Sequence, residues 1–275
     1  MNKRKNKIIL ISISIAAVAA VVVTASIIRN SSVVGGLTVN TSTSKSSNSR
    51  TVNQGCLISP QEIEQSLLDE YPGLTSSRVK DVDTKTIERF LKTNPYVESA
   101  QAAISVGGRL IVNVVARRPI VRVYYGGKVF FIDYNGRCFP VRKSACGDVI
   151  VASGNFRQSL PTETDSLDLS YMAQDSLFST YDLVSVWKLA MYLDANKDNY
   201  SMLFDQMFVV NNGDIILQPK FGNHEIVIGD TLDLDDKFRR LKTFYSKGMP
   251  HAGFDSYKRI NLKYKEQVVC TKRNP

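Results

Sequence analysis

From Ile8 to Ile28 the chain carries no charge, and its apolar run is relieved only by Ser12, Ser14, Thr24 and Ser26. A helix needs about 20 such residues to cross the hydrocarbon core of a bilayer. Lys3, Arg4, Lys5 and Lys7 precede the run and only Arg29 follows closely. This bias predicts a cytoplasmic tail over residues 1–7, a transmembrane helix over 8–28 and an exported remainder. A cleaved signal peptide is the rival, since Ala25 and Ser26 are small enough to suit a peptidase. The run exceeds the roughly 7–15 apolar residues of such a peptide, which favours a retained anchor. No second long apolar run follows, so the expected topology is single-pass, with one large extracytoplasmic part.

The rest is ordinary globular material, 43% hydrophobic and 22% charged over 275 residues. That length leaves room for one or two domains. The net charge of +9 is spread along the chain and partly spent at the N-terminus, without the concentrated stripe of a nucleic-acid binder. Cys56, Cys138, Cys146 and Cys270 fall on the oxidising side, where four cysteines allow three pairings. Cys138 with Cys146 is the local option, and buried unpaired cysteines are the other. Their spacing fits no C-x-x-C metal or redox signature, and neither histidine, His224 or His251, is near them in sequence.

A short tether over residues 29–36 leads into Leu37–Thr41, which alternates as a strand does. After a Ser/Thr/Asn-rich loop, Ser59-Pro60-Gln61-Glu62 spells a capping box with proline at the first helical position. Ile63, Leu67 and Leu68 share one face of that helix, and Pro72-Gly73 ends it. Asp83 caps a second helix with Ile87, Phe90 and Leu91 at helical spacing, and Pro95 stops it. Then the period changes to two. Ala102–Val106 and Leu110–Val115 read as strands joined at Gly107-Gly108. Beyond Val123, Gly126-Gly127, Asn135-Gly136, Asn212-Gly213 and Gly222-Asn223 punctuate further strand-like runs and predict a meander of hairpins. Leu183, Val184, Trp187, Ala190 and Met191 form one apolar helical face, and Phe238, Leu241 and Tyr245 another, each suited to lie on the sheet.

The order strand, helix, helix, strand, strand is that of a POTRA module. It is followed by Arg117-Arg118-Pro119-Ile120-Val121-Arg122-Val123, by Phe130-Phe131-Ile132-Asp133-Tyr134-Asn135-Gly136, and by Phe139-Pro140. With Asn94-Pro95-Tyr96-Val97 upstream and Tyr257–Tyr264 near the C-terminus, the chain strongly resembles the FtsQ/DivIB cell-division family. The resemblance implies an α+β fold, with a POTRA domain over 37–118, a β domain over 119–270 with helices packed on it, and a tail over 271–275. It also implies a non-enzymatic inner-membrane scaffold with its folded domains in the periplasm at the division septum. No cofactor belongs to that role. The expected partners are FtsB-like and FtsL-like divisome proteins, with other septal proteins meeting the POTRA domain, and no nucleic acid or small-molecule substrate. The polar stretch Arg157–Thr180 has no counterpart in the resemblance.

Several constellations carry competing readings. His224 reads as a hairpin residue rather than a base or ligand, and two histidines leave few ways to assemble a catalytic nucleophile, base and orienter. Asp233, Asp235 and Asp236 precede a helix, where they cap it and complement its dipole rather than hold a metal. Asp133-Tyr134-Asn135-Gly136 lacks the alternating ligands of a calcium loop and reads as a turn. Arg117-Arg118-Pro119 reads either as a solvated, stiff junction between domains or as a basic contact for a partner or lipid. Asp165-Ser166-Leu167 and Asp175-Ser176-Leu177 match triplets that accept periplasmic O-glycans. A membrane-tethered periplasmic enzyme and an outer-membrane assembly factor are the alternative classes. The latter would need a barrel for which too few residues follow Ile150.

The last expectation concerns Arg259–Val269, where Ile260, Leu262 and Tyr264 alternate with Asn261, Lys263, Lys265 and Gln267. A single one-sided edge strand is predicted there, with unpaired backbone groups open to an added strand. In the FtsQ family the matching terminal strand receives a segment of FtsB, itself paired with FtsL. Carried over, the resemblance makes Lys263, Tyr264, Lys265, Glu266, Gln267 and Val268 the partner-binding residues, with Lys263 and Lys265 suited to acidic partner side chains; the alternative is an ordinary closing strand whose tail, Thr271 to Pro275, shields the edge.

Overall fold

The computed structural model describes residues 15–24, 32–44, 57–142, 149–159, 167–196, 200 and 203–273. Among these no helix is long and apolar enough to cross a membrane. Of the expected span, residues 15–24 are helical and exposed, and the remainder lies outside the described residues. The chain divides into two compact units, the first centred on Ile58–Ala116 and the second on Arg117–Pro275.

In the first unit, β1 (Leu37–Thr43), β3 (Leu110–Ala116) and β2 (Val97–Ile104) form a sheet in that spatial order, and α1 (Pro60–Glu70) and α2 (Thr84–Thr93) cover it. The caps fall where the sequence puts them. Ser59 accepts the Glu62 N–H at 3.2 Å, and Asp83 accepts those of Lys85 and Thr86. Each satisfies donors that a helix start would otherwise leave orphaned. Ile63 and Leu67 of α1 and Ile87 and Leu91 of α2 are buried against Val97, Leu110, Val112 and Val114 of the sheet.

The second unit holds a nine-stranded sheet. Its strands are β4 (Pro119–Tyr125), β5 (Lys128–Asp133), β6 (Cys138–Pro140), β7 (Ile150–Gly154), β8 (Phe204–Val209), β9 (Ile215–Pro219), β10 (Glu225–Gly229), β11 (Tyr257–Asn261) and β12 (Val269–Lys272). The spatial order is β12-β11-β10-β9-β8-β7-β4-β5-β6. Hairpins appear at the predicted turns. Gly126 and Gly127 both have positive φ, as a two-residue connection between β4 and β5 requires.

The sheet is nevertheless not the expected meander, because β4·β7, β7·β8 and β10·β11 are parallel. A parallel neighbour needs a crossover, and helices supply two of them. The helix α3 (Asp182–Ala195) carries the chain from β7 to β8, and α4 (Leu234–Thr243) from β10 to β11. Both pack on one face of the sheet in a single core. The α3 helix is buried beyond the predicted stripe, with Val186, Leu189 and Leu193 also inside.

The junction reading of Arg117 and Arg118 also needs correction, because neither is solvated. Arg117 pairs with the buried Asp133 at 2.7 Å, and Arg118 makes a two-pronged contact with Asp194 at 2.8 and 2.6 Å. A fork-shaped guanidinium matches a carboxylate in this way, and the pairing leaves neither arginine as a free basic contact. Cys138 is buried and Cys270 partly buried, whereas Cys56 and Cys146 lie outside the described residues. Residues 160–166 also lie outside, including Asp165 and Ser166 of the first triplet. In the second, the Asp175 carboxylate accepts the Leu177 N–H at 2.8 Å.

Candidate functional site

The C-terminal quarter builds a sheet edge. Gly229 ends β10 at φ +75°, and a Cβ there would come within 2.6 Å of Lys263 Cγ. The backbone thus turns under the Lys263 stem toward α4. The Asp233 backbone is left-handed and its side chain makes no cap bond, contrary to the expected role. Asp235 instead accepts the Tyr192 hydroxyl at 3.0 Å, and Asp236 binds Arg239 and Arg240. Hydrogen bonds from Arg240 and then Arg239 hold the Asp236 carboxyl below the usual carboxylate range. Among the described residues no cluster could hold a metal.

Arg240 organises the turn beyond β11. Its Nε is fixed by Asp236 at 2.7 Å. Its terminal nitrogens donate to the carbonyls of Leu262 at 3.1 Å, Tyr264 at 2.9 Å and Gln267. Three carbonyls of one turn are satisfied by one cation, which closes the chain back on itself.

Because of that turn, Arg259–Val269 is not one strand. The segment ends as β11 at Asn261 and returns antiparallel as β12, the last strand of the sheet. Lys263, Tyr264, Lys265, Glu266, Gln267 and Val268 form the connection. Lys263 binds Asp214 at 2.6 Å, Tyr264 is exposed, Glu266 has φ +60° and Val268 packs on the core. The edge itself lies one step on, at Val269–Lys272. Thr271 and Lys272, expected in the tail, belong to it.

The register shows which backbone groups are open. Leu262 donates its N–H to Val227 of β10 at 2.9 Å, so Leu262 and Ile260 face β10. Arg259 and Asn261 therefore face β12, and their partners Thr271 and Val269 face back. Arg273 continues the pattern by donating to Ser256 at 3.0 Å. Cys270 and Lys272 consequently turn their N–H and C=O groups away from the sheet. Around them, residues 257–273 hold six cations against the single anion Glu266. Arg259 is paired with Glu225 and Lys263 with Asp214, while Lys265 and Lys272 have no ion-pair partner among the described residues. The Cys270 thiol is pushed up by burial, which keeps it protonated and unreactive at neutral pH.

Beside the turn, Arg239, Lys247, Phe244 and Val268 line a cleft of about 430 Å³ with Glu266 at its rim. His224 immediately precedes β10 in a fully buried position, where its Nε2 shares a 2.7 Å hydrogen bond with the Tyr245 hydroxyl. Burial, and then the charge of Arg273, lower the histidine's pKa, with Asp255 opposing. Its ring also stands edge-on to that of Tyr245, so the pair ties the start of the β10 region to the helix side of the unit. Arg240 had no signature in the sequence beyond its i, i+4 spacing from Asp236.

A family described as FtsQ/DivIB, C-terminal related, matches residues 118–271, more than half of the chain. The chain belongs to the FtsQ/DivIB family. A POTRA-like domain matches residues 51–115. Among curated proteins the cell division protein DivIB of Clostridium tetani (strain Massachusetts / E88) is 21% identical over 192 residues. The alignment covers 68% of this chain and 66% of that protein, just under two thirds of its length. The FtsQ/DivIB match spans the whole sheet from β4 into β12, so the open edge belongs to the part of the chain that carries the family likeness.

Proposed function

We propose that this cell-division protein is a non-enzymatic scaffold of the septum, anchored by residues 8–28 with its two units in the periplasm. It captures an FtsB-like partner, and through it an FtsL-like one, by strand addition to β12. The observation that carries this reading is the outward set of Cys270 and Lys272 backbone groups on a basic terminal edge. An added strand satisfies those donors and acceptors, and its side chains meet cations on the hairpin. The proposal moves the docking residues from Lys263–Val268 to Val269–Lys272 and leaves the turn as their support. The POTRA unit contributes a second surface, an open groove between α1 and α2 rimmed by Glu62, Asp69 and Glu70.

Proline is tolerated on an edge strand where the N–H points away from the ladder. A Lys272→Pro protein therefore keeps its fold but loses an outward donor. Its affinity for the FtsB-like partner is expected to drop about tenfold or more, the loss of one or two backbone hydrogen bonds. Lys272→Gln, which removes the charge alone, should change it less. Equal affinities for both variants and the unaltered chain would place the docking surface elsewhere.

A further inference from the structure

Six polar or charged side chains are buried among the described residues, and five of them are held in ion pairs: Arg118 with Asp194, Asp133 with Arg117, Asp182 with Arg157 and Lys237 with Asp230. The sixth is His224. Its Nε2 meets the Tyr245 hydroxyl, and its Nδ1 has no hydrogen-bond partner among the described residues. It sits beside the fastening of the terminal edge. Arg273, the residue after β12, donates its N–H to Ser256 at 3.0 Å, and its guanidinium donates to the carbonyl of Asn223, directly before the histidine in sequence. One residue thus ties the end of β12 to the start of β11 and to the start of β10.

A neutral imidazole tolerates this setting, because an unmet nitrogen costs less than an unmet charge. An added proton creates a buried cation with an unmet Nδ1–H. The charges that face it are Arg273, which repels it, and Asp255 in the turn before β11, which attracts it. Asp255 is exposed, so water screens it, while Tyr245 from the segment after α4 offers only a neutral hydroxyl. Glu225, one residue on and so on the other face of β10, pairs with Arg259 at 2.7 Å, and the two charges offset each other. We infer that protonation of His224 unfastens Arg273 and the end of β12, so that capture of a strand at this edge is strongest near neutral pH and weakens in acid. Only the loss of capture rests on the docking-edge reading. Burial first and Arg273 second hold the fastened ring's pKa below the ordinary 6.5, whereas a ring released to water regains that value. The released form therefore binds the proton more readily, and below about pH 6.5 the balance moves toward it by at most about tenfold per pH unit.

The test uses the full chain in detergent micelles. Protection of the Arg273 amide, relative to its intrinsic exchange rate, should fall about fivefold or more between about pH 7.5 and pH 5.5, with β8 and β9 unchanged. His224→Gln should remove that dependence. Asp255→Asn, which takes away the attracting charge, should move the midpoint to lower pH, a shift that a merely structural histidine would not show. Protection independent of pH, an equal fall in His224→Gln, or an unmoved midpoint in Asp255→Asn would each overturn the gate. Exchange in β8 and β9 reports whether His224→Gln stays folded, and the Asp255→Asn midpoint decides if it does not. The second readout is affinity for the FtsB-like partner at the same two pH values, expected to weaken about fivefold in the unaltered chain and to stay constant in His224→Gln. Equal weakening in both proteins, or constant affinity despite unfastening, would overturn gated capture. Unfastening with no binding at either pH would sink the docking edge and leave the fastening mechanism standing.

Discussion

Arg118 and Asp194 are each 8% exposed, and they meet across 76 positions of sequence. Two desolvated charges held this way stabilise little over an apolar pair, but one left alone is costly. Asp194→Ala should therefore destabilise the second unit by about 3–5 kcal/mol. The double substitution Arg118→Met with Asp194→Leu should cost clearly less, and thermal melts of the three proteins check the ranking. His224 makes a pH-dependent contribution. Its folded-state pKa lies below the ordinary 6.5, so the unfolded chain binds the proton more readily. Stability is full above about pH 6.5 and falls as pH drops below it. The depressed carboxylates of Asp168 and Asp230 add their own loss only in more acid solution, below about pH 4. Melting temperatures should thus fall between pH 7 and 5 in the unaltered protein and stay flatter in His224→Gln. Parallel curves would show that the histidine is not the titrating group.

At the scale of elements, local chemistry was legible and return paths were not. Ser59 and Asp83 cap α1 and α2 as their residue types dictate, because a cap is decided within three positions. Trp187 announced a buried helix, but nothing within α3 says that it crosses between parallel strands, a fact set by the partner strands. The break in Arg259–Val269 was hidden because Lys263, Lys265 and Gln267 keep alternating with less polar neighbours through the turn. Arg240, from another element, is the residue that folds that segment. Arg240→Ala should release the carbonyls of Leu262, Tyr264 and Gln267 while leaving the core of α4 intact. Amide exchange of Val269 and Thr271, which bond back to β11, is then expected to accelerate strongly with little change in β8 and β9. Exchange rising equally across the sheet would mean that Arg240 holds the whole unit rather than the turn.

For the molecule as a whole, the family likeness covers the nine-stranded sheet, and the geometry of that sheet leaves β12 open on one side. An edge of this kind is a template for another chain unless it is shortened, charged or covered. Here it is short and basic, which discourages self-pairing and favours a strand with acidic neighbours. The residues that distinguish a docking edge from a protected one are backbone groups, and sequence patterns report side chains. The most direct measurement is residue-resolved amide exchange of the intact chain with and without the proposed FtsB-like partner. The account predicts that the Cys270 and Lys272 amides, fast in the free protein, become protected in the complex. Unchanged exchange at both, with new protection at β6 or β1 instead, would contradict it.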